Sequence, residues 1–229
     1  KRSTSDSEIS EDEIMNHIRY LSHEKRGGRY PGSRGSKDVI AYITKQLKSY
    51  GIQPGVNNSF VQPFEINTDI ILGDSNYLKI DGTSLTPEID YIPFSFSSSG
   101  IYKGEAVFAG YGFKIKTPDL VWNDYKSINV KGKWVIVMRH SPERKLQHSV
   151  FLEHSSLHKK MLVARDEGAL GIIFISQIQD PDLYPLQYLE GYKESGIPVL
   201  HLSNNSADKI LRKEGWTRKK IQSYMNTKL

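Results

Sequence analysis

The chain contains no cysteine, so disulfides and thiolate metal sites are both excluded, while an oxidising and a reducing compartment remain equally open. No apolar run approaches the length that crosses a bilayer; the longest, "GALGIIFIS" at residues 168–176, has the size of a buried strand. The opening "KRSTSDSEISEDE" lacks the apolar segment of a signal peptide. If the protein is exported, its numbering is expected to begin after such a signal was removed. Also missing is a phosphate-binding loop. Gly27 and Gly32 in "HEKRGGRYPGSRGSKDVIAYI" have the spacing, but Ser33 stands where the lysine belongs and the preceding pattern is helical rather than extended. No serine stands in a G-x-S-x-G elbow. Asp166 and Glu167 are adjacent and diverge on a helix, whereas an acid/base carboxylate pair must converge.

What is present is ordinary for a globular protein: 229 residues, 38% hydrophobic and 25% charged. That length suffices for one large or two small domains. The net charge of +5 is largely local. Lys209, Arg212, Lys213, Arg218, Lys219, Lys220 and Lys228 face a single acid, Glu214, in the last 21 residues. Without a finger, zipper or RNA-recognition motif beside it, this excess is read as a solvated face or a surface for another part of the same protein, not as a nucleic-acid site.

Two amphipathic helices are expected first. Ser7 or Ser10 caps an acidic turn of Glu11, Asp12 and Glu13. Ser36 or Asp38 opens a second helix, with Val39, Ile40, Ile43 and Leu47 on one face and Gly51 ending it. "FVQPFEI" at 60–66 reads as an edge strand because Pro63 has no donor for a ladder. From residue 70 short β-rich runs dominate, with Asp81-Gly82 as a turn between two of them. "KGKWVIVMR", "ALGIIFIS" and "GIPVLHLS" read as strands, with a helix over 154–167 between the first two and another over 206–214. Strands first, then strand–helix–strand, give an α+β module of about 135 residues between helical flanks. Tyr111, Phe113, Trp122 and Tyr125 read as packing residues.

On that helix His154 and His158 stand four apart, which places two imidazoles on one face as zinc ligation requires. The metalloprotease form HExxH sets its glutamate between the histidines. Here Glu153 precedes both and Ser155 takes its place, while His148, the third donor at hand, falls in a loop, so a surface pair is the plainer reading and no metal residue is assigned.

Separated stretches resemble one family. "GGRYPGSRGSKDVIAYITKQLKSYGIQPG" followed by "FVQPFEI" is similar to the opening of secreted two-zinc aminopeptidases. "YKGEAVFAGYGF", "DYKSINVKGKWVIVMRHSP", "HKKMLVARDEGALGIIFIS" and "GIPVLHLS" resemble the protease-associated (PA) domain inserted into that peptidase fold. The resemblance implies a PA domain, β-sandwich or barrel-like with flanking helices, inserted into the start of an α/β zinc-peptidase fold whose remainder is absent. It divides the chain into 1–66 (peptidase helices and edge strand), 67–205 (PA domain) and 206–229 (a helical return toward the catalytic half). The family's two zinc ions and their ligands belong to that missing half. The chain is therefore expected to be inactive alone, to hold no cofactor and no catalytic residue, and to cover the active-site cleft and shape peptide access. Its expected partners are the catalytic half and the parent's peptide substrate, with no nucleic acid and no membrane span, in an extracytoplasmic location. The alternative is an autonomous peptide- or protein-binding module. Arg29, Ser33 and Arg139 are the expected substrate-facing or interdomain residues.

Overall fold

Serine hydroxyls set where the helices begin. The computed structural model describes residues 9–55, 57–66, 69–187 and 194–227, in two compact units, 1–67 and 68–229. In the first unit, helix α1 (Glu11–Ser22) starts from Ser10. Its hydroxyl accepts the Glu13 N–H at 3.2 Å, while the Glu13 carboxylate accepts the Ser10 N–H at 3.0 Å, a reciprocal capping box. Ser7, the other expected cap, lies outside the described residues, as does Lys228.

Helix α2 (Arg34–Ser49) begins at neither Ser36 nor Asp38 but from Ser33, whose Oγ accepts the Ser36 N–H at 3.1 Å. Asp38 instead holds Arg26 at 2.9 Å. The earlier start seats Gly35 in the first turn against the preceding loop, where a Cβ would lie 1.9 Å from the Arg26 carbonyl oxygen. The loop gets there through three successive left-handed residues: Gly27, Gly28 and Arg29, at φ 49°, 69° and 61°. Two glycines make that path accessible. Residues 60–66 form no strand, contrary to expectation. A strand needs a ladder to join, and the first unit contains no named strand among its described residues.

The second unit is built on a five-stranded sheet. Its strands are β3 (Tyr91–Pro93), β4 (Ala106–Phe108), β7 (Trp134–Met138), β8 (Gly171–Ile175) and β9 (Val199–Leu202), in the order β3-β9-β8-β7-β4. All neighbours are parallel except β3, which runs antiparallel to β9. Two small hairpins accompany the sheet, β1 (Leu78–Ile80) with β2 (Thr83–Leu85), and β5 (Lys114–Lys116) with β6 (Val121–Asn123). The first turns at Asp81 and Gly82, both at positive φ as a two-residue hairpin prefers.

The apolar runs of the central strands are continuous because both faces of the sheet are covered. Ile136, Met138, Ile173, Ile175 and Leu202 pack on one face. There they meet α4 (Asn204–Lys213) and α5 (Arg218–Asn226) through Ala207, Leu211, Ile221 and Met225. Val135, Val137, Ile172, Phe174 and Val199 pack on the other face against α3 (Leu157–Asp166) through Met161 and Ala164. Successive strand residues alternate between the two layers, the period of two that a pleated strand imposes. Gly171 lets β8 approach its neighbours, since a Cβ there would stand 2.6 Å from the Trp134 ring. The whole is a mixed arrangement of helices and sheets, of the α+β class.

Candidate functional site

The polar residues of the second unit collect where the parallel strands end, because side chains that follow an apolar strand leave the sheet at its carboxyl edge. Arg139 follows β7, Ser176 and Gln177 follow β8, and His201 lies within β9. All four are buried, with Ser176 and His201 at 0% exposure.

Their hydrogen bonds assign each proton. The Tyr184 backbone N–H lies 3.2 Å from His201 Nδ1, which must therefore accept. Nε2 then carries the hydrogen and donates to Ser176 Oγ, 3.0 Å away. Ser176 Oγ also accepts from Arg139 Nη1 at 3.0 Å and turns its own hydrogen to the Pro181 carbonyl at 3.3 Å. Burial and the neighbouring Arg139 charge outweigh Asp180 and lower the His201 pKa to about 3. A serine beside a histidine suggests a nucleophile and its base, but here the histidine donates and the hydroxyl proton points elsewhere. The pair is structural.

Two buried ions complete the cluster. Lys160 on α3 is 1% exposed; its ammonium donates to the Met138 carbonyl at 2.9 Å and to the His140 carbonyl, with the Phe113 ring centroid 4.6 Å away. Burial lowers its pKa well below the ordinary value, with Asp124 opposing. Asp180 accepts from the Gln177 backbone N–H at 2.8 Å and faces His140 at 3.2 Å and Arg144. Burial raises its pKa, but hydrogen bonds from His140 and Gln177 and the charges of His140 and Arg139 prevail and leave it at about 2.

Over the cluster lies Tyr184, its ring 3.7 Å from the Arg139 guanidinium carbon. The outer side of this tyrosine faces open space. A cleft of about 200 Å³ runs past Pro93, Phe94, Leu157 and Pro185. A shallower groove of about 730 Å³ runs past Ile71, Glu88, Leu183 and Leu186. Ile92, Tyr184 and Pro185 line both. The volumes suit a side chain in the first and an extended segment in the second; aliphatic and aromatic side chains dominate both, with Ser95 and Gln187 also lining the first and Glu88 the second. Among the described residues this surface offers shape and burial, with Glu88 as its one charged side chain.

The expected site residues are not brought together by contacts within either unit. Arg29 is in the first unit and caps α1, Nη1 donating to the Leu21 carbonyl at 2.5 Å. Ser33 is the N-cap of α2. Arg139 lies beneath Tyr184, with its Nε buried and without a hydrogen-bond partner among the described residues. The histidine pair does not share a helical face. A 3-10 turn, Leu152–His154, ends at Ser155, and Ser156 then caps α3 through the Lys159 N–H at 3.2 Å. His154 thus precedes the helix on which His158 sits, and His158 meets the Phe96 ring, centroids 5.7 Å apart. Among the described residues no group of three or more His, Asp or Glu side chains is placed to hold a metal ion. Sequence reasoning missed Tyr184, Lys160, Ser176 and His201. The available signal was a polar residue in or directly after an apolar strand, as in "PVLHLS" and "FISQ".

Residues 101–210 match the profile of the PA domain family, a span that takes in β4 through most of α4. No curated protein matches the chain. Among solved structures it is similar to an aminopeptidase from Aneurinibacillus sp. strain AM-1, at 18% identity and a TM-score of 0.47, covering 88% of this chain and 40% of that one. It is similar also to a zinc aminopeptidase from Bacillus subtilis, at 19% identity and a TM-score of 0.38, covering 82% of this chain and 37% of that one. The chain thus spans 40% or less of the length of these structures.

Proposed function

Because residues 101–210 match the PA domain family, we propose that this chain is the non-catalytic N-terminal and PA portion of a zinc-dependent aminopeptidase, where it covers the active-site cleft and shapes the access of peptide substrates. The observation that carries this reading is the contrast at Tyr184. Behind the ring the protons of Ser176 and His201 are committed to structure, while in front of it a groove lined mainly by aliphatic side chains stands open. Such a surface binds an extended peptide and does not cut it. The zinc ions and the groups that hold them belong, on this reading, to the rest of the parent protein, which works outside the cytoplasm.

A catalytic half as partner is favoured over a free-standing binding module by the first unit. Ile14, Ile18, Ile40 and Ile43 on α1 and α2 are each more than 40% exposed. Apolar helix faces of this kind ordinarily cover a sheet. Arg29 and Ser33 then serve the interdomain surface by holding the loop between these helices in shape. Arg139 acts on a bound peptide through the tyrosine it supports.

The test is titration of the whole chain with hydrophobic peptides alongside an aminoacyl-anilide assay in added zinc. Binding that Tyr184→Ala weakens tenfold or more, with no turnover, is expected. Stoichiometric zinc with turnover overturns the non-catalytic assignment, and peptide binding indifferent to Tyr184→Ala overturns the groove.

A further inference from the structure

The corner between α4 and α5 breaks a local rule. Lys219 and Lys220 occupy the first turn of α5, and no acid accompanies them there. That is the positive end of the helix dipole, where cations are destabilising. Nor do they serve the fold, since both are exposed and, like Arg212, make no ion pair among the described residues. Thr217 alone caps the helix, its hydroxyl accepting the Lys220 N–H at 3.2 Å. Residues chosen against local stability mark a function elsewhere.

The corner is also rigid. Arg218 is 7% exposed and grips Asp208 with two guanidinium nitrogens at 3.1 and 3.2 Å. It also donates to Asn204 Oδ1 at 2.6 Å and to the Ser176 carbonyl at 3.3 Å. With Arg218 turned inward, Lys219 and Lys220 must project outward. Beside them stand two partly exposed aromatic rings. Trp216 is 43% and Tyr224 55% exposed, with their ring centroids 6.3 Å apart. Lys220 and Tyr224 are four apart on α5 and so share its face. Arg212 and Lys213 end α4 immediately before the tryptophan, Lys213 leaning toward Asp81 at 3.0 Å. Glu214 is the one acid in the turn.

Paired exposed Trp and Tyr rings flanked by unpaired cations are the composition that settles at a lipid headgroup boundary: the rings enter the acyl margin and the cations meet phosphates. We infer that the Arg212–Lys220 corner, with Tyr224, is a docking surface for an anionic phospholipid bilayer, holding the protein reversibly at a membrane surface without spanning it. Phosphates of a nucleic acid would satisfy the cations as well. They do not account for two rings standing together at the tip of a short, rigid corner rather than along a groove.

The test is flotation of the whole chain with vesicles of mixed phosphatidylglycerol and phosphatidylcholine, against phosphatidylcholine alone, and against a single-stranded oligonucleotide. Binding to the anionic vesicles alone is expected, with a blue shift of tryptophan emission that Trp216→Phe abolishes and dissociation at high salt. Each cation near an anionic leaflet strengthens binding about fivefold, so Lys219→Gln with Lys220→Gln should weaken partition roughly twenty-five-fold. Equal binding to both vesicle types, no binding to either, vesicle binding unchanged by the double variant, or preference for the oligonucleotide each overturns the inference.

Discussion

Ser176 Oγ and His201 Nε2 lie 3.0 Å apart at the carboxyl edge of the sheet, and the histidine is the donor. Protonating Nδ1 would set a second N–H against the Tyr184 amide that already donates to it, so the ring is held neutral by geometry as well as by burial. Acid therefore acts on the fold in part through this ring.

The folded pKa of His201 is about 3 against an ordinary 6.5. Between those values the unfolded chain binds the additional proton, so stability rises with pH and is lost as pH falls from 6.5 toward 3. The shift corresponds to roughly 5 kcal/mol across that window. His201→Gln keeps one donor and one acceptor but cannot titrate. Urea midpoints measured from neutral to acid pH should fall for the parent and stay nearly level for the variant through the same interval. Parallel curves would exclude His201 as the source.

Asp180 gives a second and lower window. Its pKa of about 2 lies below the ordinary 3.8, so its contribution is complete above 3.8 and disappears as pH falls through 2. Asp180→Asn should cost about 2 kcal/mol at neutral pH, from the lost charge beside His140 and Arg144. It should cost almost nothing near pH 2, a convergence that calorimetry at the two pH values would reveal.

Lys160 has the opposite charge and the same slope. Below its ordinary 10.5 the unfolded chain holds the proton that the folded site resists, so stability rises with pH between the lowered pKa and 10.5. Lys160→Met fills similar volume but leaves the Met138 and His140 carbonyls without this donor. The parent should gain on the variant in thermal midpoint as pH rises toward 10.5. A difference independent of pH would mean that the ammonium stays charged in the fold.

These titrating groups were the part least visible in the sequence, and the reason is physical. The strands of "KGKWVIVMR" and "ALGIIFIS" announce themselves through unbroken apolar runs, and Asp81-Gly82 through the turn it makes. Helix caps were ambiguous because Ser33, Ser36 and Asp38 all carry the right oxygen. What chose Ser33 is Gly35 meeting the Arg26 backbone, a contact with no local signature. His154 and His158 misled because spacing of four implies one face only if the helix is continuous, and Ser156 starts it between them. The hydrogen bond between Ser176 and His201 spans 25 positions, and it forms only once β8 and β9 lie side by side. Tyr184 sits in a segment without regular structure, where periodicity has nothing to say.

The turn after β4 offers a test of packing. Gly110 and Gly112 have φ of 55° and 72°, and they aim the Tyr111 and Phe113 N–H groups at one carboxylate oxygen of Asp124, at 3.1 and 3.0 Å. A Cβ on Gly110 would stand 2.6 Å from Asp124 Oδ1 and 2.6 Å from Met225 Cε. The methionine is a flexible end that can move, but the carboxylate is fixed by the two N–H groups it accepts. Gly110→Ala therefore strains the left-handed backbone and pushes Asp124 off its donors together, costing about 2 to 4 kcal/mol. Gly132 is also left-handed, at φ 70°, but a Cβ there would meet nothing within 4 Å, so Gly132→Ala isolates the backbone cost at about 1 kcal/mol. Chemical denaturation of the two variants should separate them by at least the difference, and equal midpoints would mean that Asp124 yields without penalty.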